Sequence, residues 1–233
     1  MFTTPNFLLT DVELKELRDA FKYDLKEERA SGEVPRTNCS ERASGEVHKR
    51  PHKEKYEHMI FRLEKYTPML TKISNLLNNE GFPVKTFTPQ NFQELSEVSI
   101  LEYHIYFGYT DSDEVEFVFG AHRDDDNFPV HTFIYYPTIT FPKGGRLCVK
   151  KKNAGGIGEY TKEEKKEGTK ESGEESVVII YDHESNFINP KNYLPIDPRQ
   201  TKCVCLSGSL MHFMENCVGK GIRGSIVIQN PVE

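Results

Sequence analysis

His122 and Asp124 stand two residues apart in the stretch GAHRDDDNFP, residues 120–129, directly after an apolar run. On an extended backbone, side chains at i and i+2 point to the same side. One imidazole and one carboxylate placed that way can both reach a single metal ion. A second histidine would complete the two-histidine, one-carboxylate set of non-haem iron sites, which leaves the opposite face of the ion open. An acidic turn after a strand would look the same locally, and a third ligand downstream distinguishes the two. His212, in LSGSLMHFMENC, opens a later strand candidate and supplies that ligand. Of the three successive acids only Asp124 has the i+2 relation to His122. Asp125 and Asp126 read as solvated turn acids.

Arg223 and Ser225 form a second group, on the last strand candidate. An inward-facing arginine there has no evident acidic partner in the neighbouring sequence. A buried guanidinium without an anion is costly, so an anion is expected to join it. A dicarboxylate suits the arginine fork. Ser225 lies on the same face and can add a hydrogen bond.

The elements that must position these groups fall into two kinds. Residues 11–29 read as a helix, with Thr10 and Glu13 as a capping box and Val12, Leu14, Leu17 and Phe21 at roughly helical spacing. Residues 53–79 read as a second helix. Its stripe is Tyr56, Met59, Ile60, Leu63, Tyr66, Leu70, Ile73 and Leu76, with Pro68 as a kink or break and Gly81 and Pro83 at its end. From about residue 98 the period becomes two. VSILEYHIYFGY, VEFVFGAH, HTFIYY, GRLCVKK, VVIIY, KCVCLSG, MHFMENC and GSIVIQN are eight short strand candidates separated by turn residues. The expected fold is mainly β with N-terminal α support, a double-stranded β-helix (jelly roll). The expected organisation is a helical support region over 1–97 with a flexible 30–52 segment, then a jelly-roll core over 98–233 with a mobile, charged, Gly-rich loop over 150–176. ERASGEV occurs at 28–34 and again at 41–47, which reads as a local duplication in a tolerant segment.

Composition narrows the function classes. The chain has 233 residues, enough for a sizeable core. Its net charge of -6 lacks the global basic footprint of a nucleic-acid binder. Cys39, Cys148, Cys203, Cys205 and Cys217 have no disulfide-framework or zinc-ligand spacing, which fits reduced thiols in an intracellular, cytoplasmic chain. Cys203 and Cys205 alternate on a strand and read as small buried side chains. The first residues lack the basic and apolar regions of a signal peptide, and no stretch has the apolar length of a membrane span.

Together these pieces carry a family resemblance. HRD (His122, Asp124), FIYYP after it, GGRL (Gly144 to Leu147), then His212, Val218, Gly221, Arg223 and Ser225 follow one another in the order and spacing of the Fe(II)/2-oxoglutarate-dependent oxygenases. Residues 98–233 resemble the prolyl-4-hydroxylase-like branch in particular. The resemblance implies that His122, Asp124 and His212 bind Fe(II), and that Arg223 holds the far carboxylate of 2-oxoglutarate, with Ser225 and Tyr136 beside it. It also implies an upstream tyrosine lining the site. Tyr109 takes that place, in a stretch whose alignment also admits Tyr106. The implied activity is that of an oxidoreductase, a dioxygenase hydroxylating its substrate as 2-oxoglutarate becomes succinate and CO2. O2 is the co-substrate, and ascorbate is a further cofactor the resemblance allows. A protein or peptide substrate, prolyl or another side chain, is favoured over a nucleic acid or small molecule, and no membrane partner is expected. The competing reading is a jelly-roll protein that binds another metal, or binds without catalysis. Three features depart from the family pattern: the run of acids, YYPT after the strand, and the charged insertion after GGRLCVKK.

Overall fold

The computed structural model describes residues 1–19, 55–108, 117–125, 128–151, 180–181, 187–188, 192–215 and 217–233. In chain order the strands are β1 Phe2–Thr3, β2 Lys55–Ile60, β3 Ile100–Gly108, β4 Phe117–His122, β5 Val130–Tyr135, β6 Lys143–Gly144 and β7 Leu147–Lys150. They continue with β8 Ile180–Tyr181, β9 Phe187–Ile188, β10 Tyr193–Ile196, β11 Cys203–Ser207, β12 His212–Glu215, β13 Cys217–Val218 and β14 Gly221–Pro231. Residues 11–19 are helical (α1), followed by α2 Thr67–Asn79 and α3 Phe92–Val98. The protein is mainly β, and its described strand pairs are antiparallel.

Two sheets carry the architecture. The larger runs β1-β11-β5-β14-β3-β2 and the smaller β10-β7-β12-β4. Side-chain alternation sorts each strand between two environments. Phe133 and Tyr135 on β5, Cys203 and Cys205 on β11, and Ile226 and Ile228 on β14 join Leu70, Ile73, Leu77, Phe87 and Leu95 in one core between the larger sheet and the helices. The intervening residues Ile134, Tyr136, Val204 and Leu206 pack instead with Leu147, Val149 and Ile196 of the smaller sheet. The larger sheet is therefore buried on both faces along β5 and β11. The two cysteines of KCVCLSG do point the same way, into the helical layer, and both are fully buried.

Thr10 and Glu13 form the capping box. The Thr10 backbone N–H donates to Glu13 Oε2 at 2.6 Å and the Glu13 N–H to Thr10 Oγ1 at 3.2 Å. Helix over 20–29 lies outside the described residues, as do Cys39, both ERASGEV copies, the 30–52 segment and residues 152–176 of the expected loop; Lys150 closes β7.

The single helix expected over 53–79 is corrected. Residues 55–60 are a strand, β2, paired with β3 in the register Met59↔Tyr103, and the helix begins only at Thr67. Met59 is buried and Ile60 exposed, an alternation that a strand explains and a continuous helical stripe does not. The open edge of β3 offers backbone partners that local propensity cannot anticipate. Pro68 lies in the first turn of α2, where its missing N–H costs nothing, so it starts the helix rather than kinking it. Among the described residues no helix is long and apolar enough to cross a membrane.

Candidate functional site

β4 and β12 lie side by side in the smaller sheet with His212 directly opposite His122. The two imidazole centroids are 4.5 Å apart. Past the end of β4 the chain turns, and the Asp124 N–H donates to the Gly208 carbonyl at 2.9 Å, which brings the carboxylate back over the pair. Asp124 Oδ1 then lies 3.6 Å from His122 Nε2 and 3.7 Å from His212 Nε2. Those separations exceed normal hydrogen-bond lengths, and the three ligand atoms all fall within 4.8 Å of one another. Two imidazole nitrogens and a carboxylate oxygen suit a divalent transition metal, so the donor set fits such an ion.

Supporting contacts orient each donor. The Leu210 carbonyl accepts a hydrogen bond from His212 Nδ1 at 2.9 Å, so the proton sits on Nδ1 and the Nε2 lone pair faces Asp124. Thr132, on β5 of the facing sheet, donates from Oγ1 to Asp124 Oδ2 at 2.6 Å, leaving Oδ1 for the centre. Burial pushes the His212 pKa down, as does His122, while Asp124 and the Leu210 bond pull it partly back up. The net direction keeps His212 neutral, as a metal ligand must be. The side chains of Asp124 and His212 are 4% and 6% exposed and that of His122 is 37%, so the group opens to solvent on the His122 side.

The lowered pKa has a consequence for stability. His212 and His131, the latter also lowered by burial and by the N-terminal amine, bind a proton less readily folded than unfolded. Their contribution to stability is full above the unfolded value, 6.5, and is lost as pH falls through the folded values. Metal-free protein is therefore expected to melt at progressively lower temperature as the buffer is taken below about pH 6.5. A thermal series from pH 8 to pH 5 reads this directly.

Arg223 lies on β14, 6% exposed, on the face of the larger sheet turned toward the smaller one. Its Nε donates to the Gly145 carbonyl at 3.3 Å and Nη1 to Ser225 Oγ at 3.3 Å. The guanidinium carbon is 5.0 Å from the centroid of the Tyr136 ring. Among the described residues no carboxylate ion-pairs with Arg223. Tyr136 is fully buried, and among the described residues its hydroxyl makes no hydrogen bond of normal geometry; burial pushes its pKa up and the neighbouring Arg223 draws it back. A buried cation without a carboxylate among the described residues, beside a buried hydroxyl, is an arrangement suited to an anion.

The structure thus brings His122, Asp124 and His212 into one group and Arg223, Ser225 and Tyr136 into another. Tyr109 lies outside the described residues. Tyr106 stands opposite Arg223 in the β3–β14 register and packs on Phe141 and Cys217. Sequence reading missed Thr132, the Leu210 and Gly145 carbonyls and Tyr106 in these roles. Each acquires its role through cross-strand register, which leaves no local spacing signal.

Gly145 is constrained twice. Its φ is +68°, and a Cβ there would sit 2.8 Å from Cys217 Sγ and 3.5 Å from the Arg223 side chain. Gly145→Ala is expected to cost at least about 1–2 kcal/mol from backbone strain alone. The added methyl also forces a shift against Cys217 Sγ, whereas its contact with Arg223 is of ordinary length, and a denaturant melt would show the loss of stability.

No protein-family model matches the chain, and no curated protein matches it. Among solved structures it is similar to a prolyl-4-hydroxylase from Pseudomonas putida, at 15% identity and a TM-score of 0.44, over 99% of this chain and 92% of that one. A likeness of that degree assigns neither reaction nor substrate to this chain.

Proposed function

We propose that the chain is an Fe(II)- and 2-oxoglutarate-dependent dioxygenase built on a double-stranded β-helix. The observation that carries this reading is the pairing of two groups on the facing inner surfaces of one sandwich: a two-histidine, one-carboxylate set, and a buried arginine with no carboxylate partner among the described residues. The strand order supports the fold. From β3 to β14 the main strands fall in the larger, smaller, larger, smaller, smaller, larger, smaller and larger sheet, as a jelly roll requires.

His122, Asp124 and His212 would hold the metal ion, which when bound supplies oxidative chemistry coupled to decarboxylation of the keto acid. The chain's own residues do the rest. Arg223 binds the far carboxylate, and Ser225 holds the guanidinium in place. Tyr136 offers its hydroxyl to the same carboxylate and lays its ring under the arginine. Thr132 keeps Asp124 turned toward the centre. The apolar wall of Ile134, Leu147, Val149 and Val204 excludes water from the inner surface.

Hydroxylation of a protein or peptide side chain, prolyl among them, fits best. A net charge of -6 disfavours a polyphosphate substrate, and the open His122 side leaves a solvent-facing approach for a chain segment. The test is turnover. Purified protein with Fe(II), ascorbate and 2-oxoglutarate is offered prolyl peptides, other peptides and oligonucleotides, with succinate and a 16 Da mass gain followed together. Succinate formation coupled to peptide oxidation supports the proposal. Oxidation of oligonucleotides alone would replace the substrate class, and no succinate with any substrate at full metal loading would refute a 2-oxoglutarate oxygenase.

A further inference from the structure

We infer that Arg199 is a positioning residue for the anion pocket, setting the affinity and the selectivity for a dicarboxylate keto acid without touching it; this rests on the co-substrate reading above. Arg199 lies in the turn that follows β10. Its backbone N–H and its Nε both donate to Asp197 Oδ1, at 2.9 and 2.8 Å, which fixes the base of the side chain. Desolvation alone would raise the Asp197 pKa, yet its bonds to Arg199 leave it lowered, so the anchor is an anion at neutral pH. The two remaining guanidinium nitrogens reach across to a different loop. Nη1 donates to the Phe141 carbonyl at 3.0 Å and Nη2 to the Gly144 carbonyl at 3.1 Å.

That loop is what Arg223 leans on. Gly144 and Gly145 are consecutive residues with φ of +69° and +68°, a conformation with little intrinsic preference of its own. The next carbonyl after the one Arg199 clamps, that of Gly145, accepts from Arg223 Nε. Phe141, clamped at the loop's other end, packs against Tyr106, the residue opposite Arg223 on β3. Both ends of a glycine-flexible loop beside the pocket are therefore pinned by one guanidinium. Removing it takes away two bonds from a segment otherwise tied through the β6–β13 pairing, so the Gly145 carbonyl, one residue past that pairing, gains freedom to turn and the Arg223 fork loses its fixed aim. The metal ligands lie on β4, the turn after it and β12, none of which Arg199 bonds, so metal affinity is not expected to change.

The test compares two keto acids in the metal-loaded, oxygen-free protein by calorimetry: 2-oxoglutarate, which has the far carboxylate, and pyruvate, which lacks it. Arg199→Ala is expected to weaken 2-oxoglutarate by roughly tenfold and leave pyruvate and Fe(II) nearly unchanged. Arg199→Lys, which can still reach one carbonyl, should recover part of the loss. Asn78→Ala, which removes side-chain bonds to the Val84 backbone in the helical layer, serves as a destabilised control that should retain full affinity. If Arg199→Ala does not fold, Asp197→Asn loosens the same anchor and should give the same split. An unchanged 2-oxoglutarate affinity in a folded variant, or equal losses for both acids, overturns the inference. A wild-type chain that binds the two acids alike refutes the co-substrate reading itself.

Discussion

His212→Ala is expected to bind Fe(II) at least roughly 100-fold more weakly than the wild-type chain while still unfolding in one cooperative transition. The size of the effect follows from its place. His212 contributes one of three donors, is nearly closed to solvent, and has its tautomer set by the Leu210 carbonyl. No neighbouring described side chain offers a substitute nitrogen at that position, because Val149 and His122 occupy the two adjacent strand registers. The fold should survive because the inter-sheet core of Ile134, Tyr136, Leu147, Val149 and Val204 does not include His212. Loss of the buried ring should cost about 1–3 kcal/mol, a drop of several degrees in Tm. Metal content after anaerobic loading and a thermal melt, read on the same sample, check both halves. Wild-type iron content in this variant would remove His212 from the site.

The second large effect is expected at Arg223. Arg223→Met should weaken 2-oxoglutarate on the order of 100-fold, because the far carboxylate would then be buried without its charge partner. Iron binding without the keto acid should be unaffected. The stability of the ligand-free protein should stay level or rise. Among the described residues the buried guanidinium offsets its desolvation with two long hydrogen bonds, to the Gly145 carbonyl and Ser225 Oγ, both at 3.3 Å, and with the face of the Tyr136 ring, without a carboxylate. Replacing it with an apolar side chain of similar length removes that penalty. Stability and co-substrate affinity should thus move in different directions, a split that a merely structural arginine would not give. Melts and calorimetry on the one variant measure it. Equal losses of iron and 2-oxoglutarate would count against the assignment.

The candidate site was more legible in the sequence than parts of the fold were. His122 and Asp124 declare themselves through i, i+2 spacing on a strand exit, and Arg223 and Ser225 through the same spacing on the last strand. What the spacing does not contain is which strand lies beside which. The His212↔His122 pairing and the Thr132 bond to Asp124 arise only when the two sheets assemble. Among the elements, residues 55–60 were misread because Tyr56, Met59 and Ile60 suit a helical stripe as well as a strand, and only the open edge of β3 decides between them. α3 was missed because seven residues give too few periodic positions to register. β10 was missed because Pro195 interrupts it. β10 is an edge strand of the smaller sheet, where a residue without an N–H is tolerated.

The measurement that bears most directly on the proposed chemistry is an anaerobic titration of metal-free protein with Fe(II), with and without 2-oxoglutarate, followed by visible absorption. A metal-to-ligand charge-transfer band should appear only when both are present, fade in Arg223→Met at limiting 2-oxoglutarate, and be absent in His212→Ala. A folded wild-type protein that gives no band at saturating iron and keto acid would contradict the account, and would leave His122, Asp124 and His212 as ligands for a different ion or as an acidic turn beside two histidines.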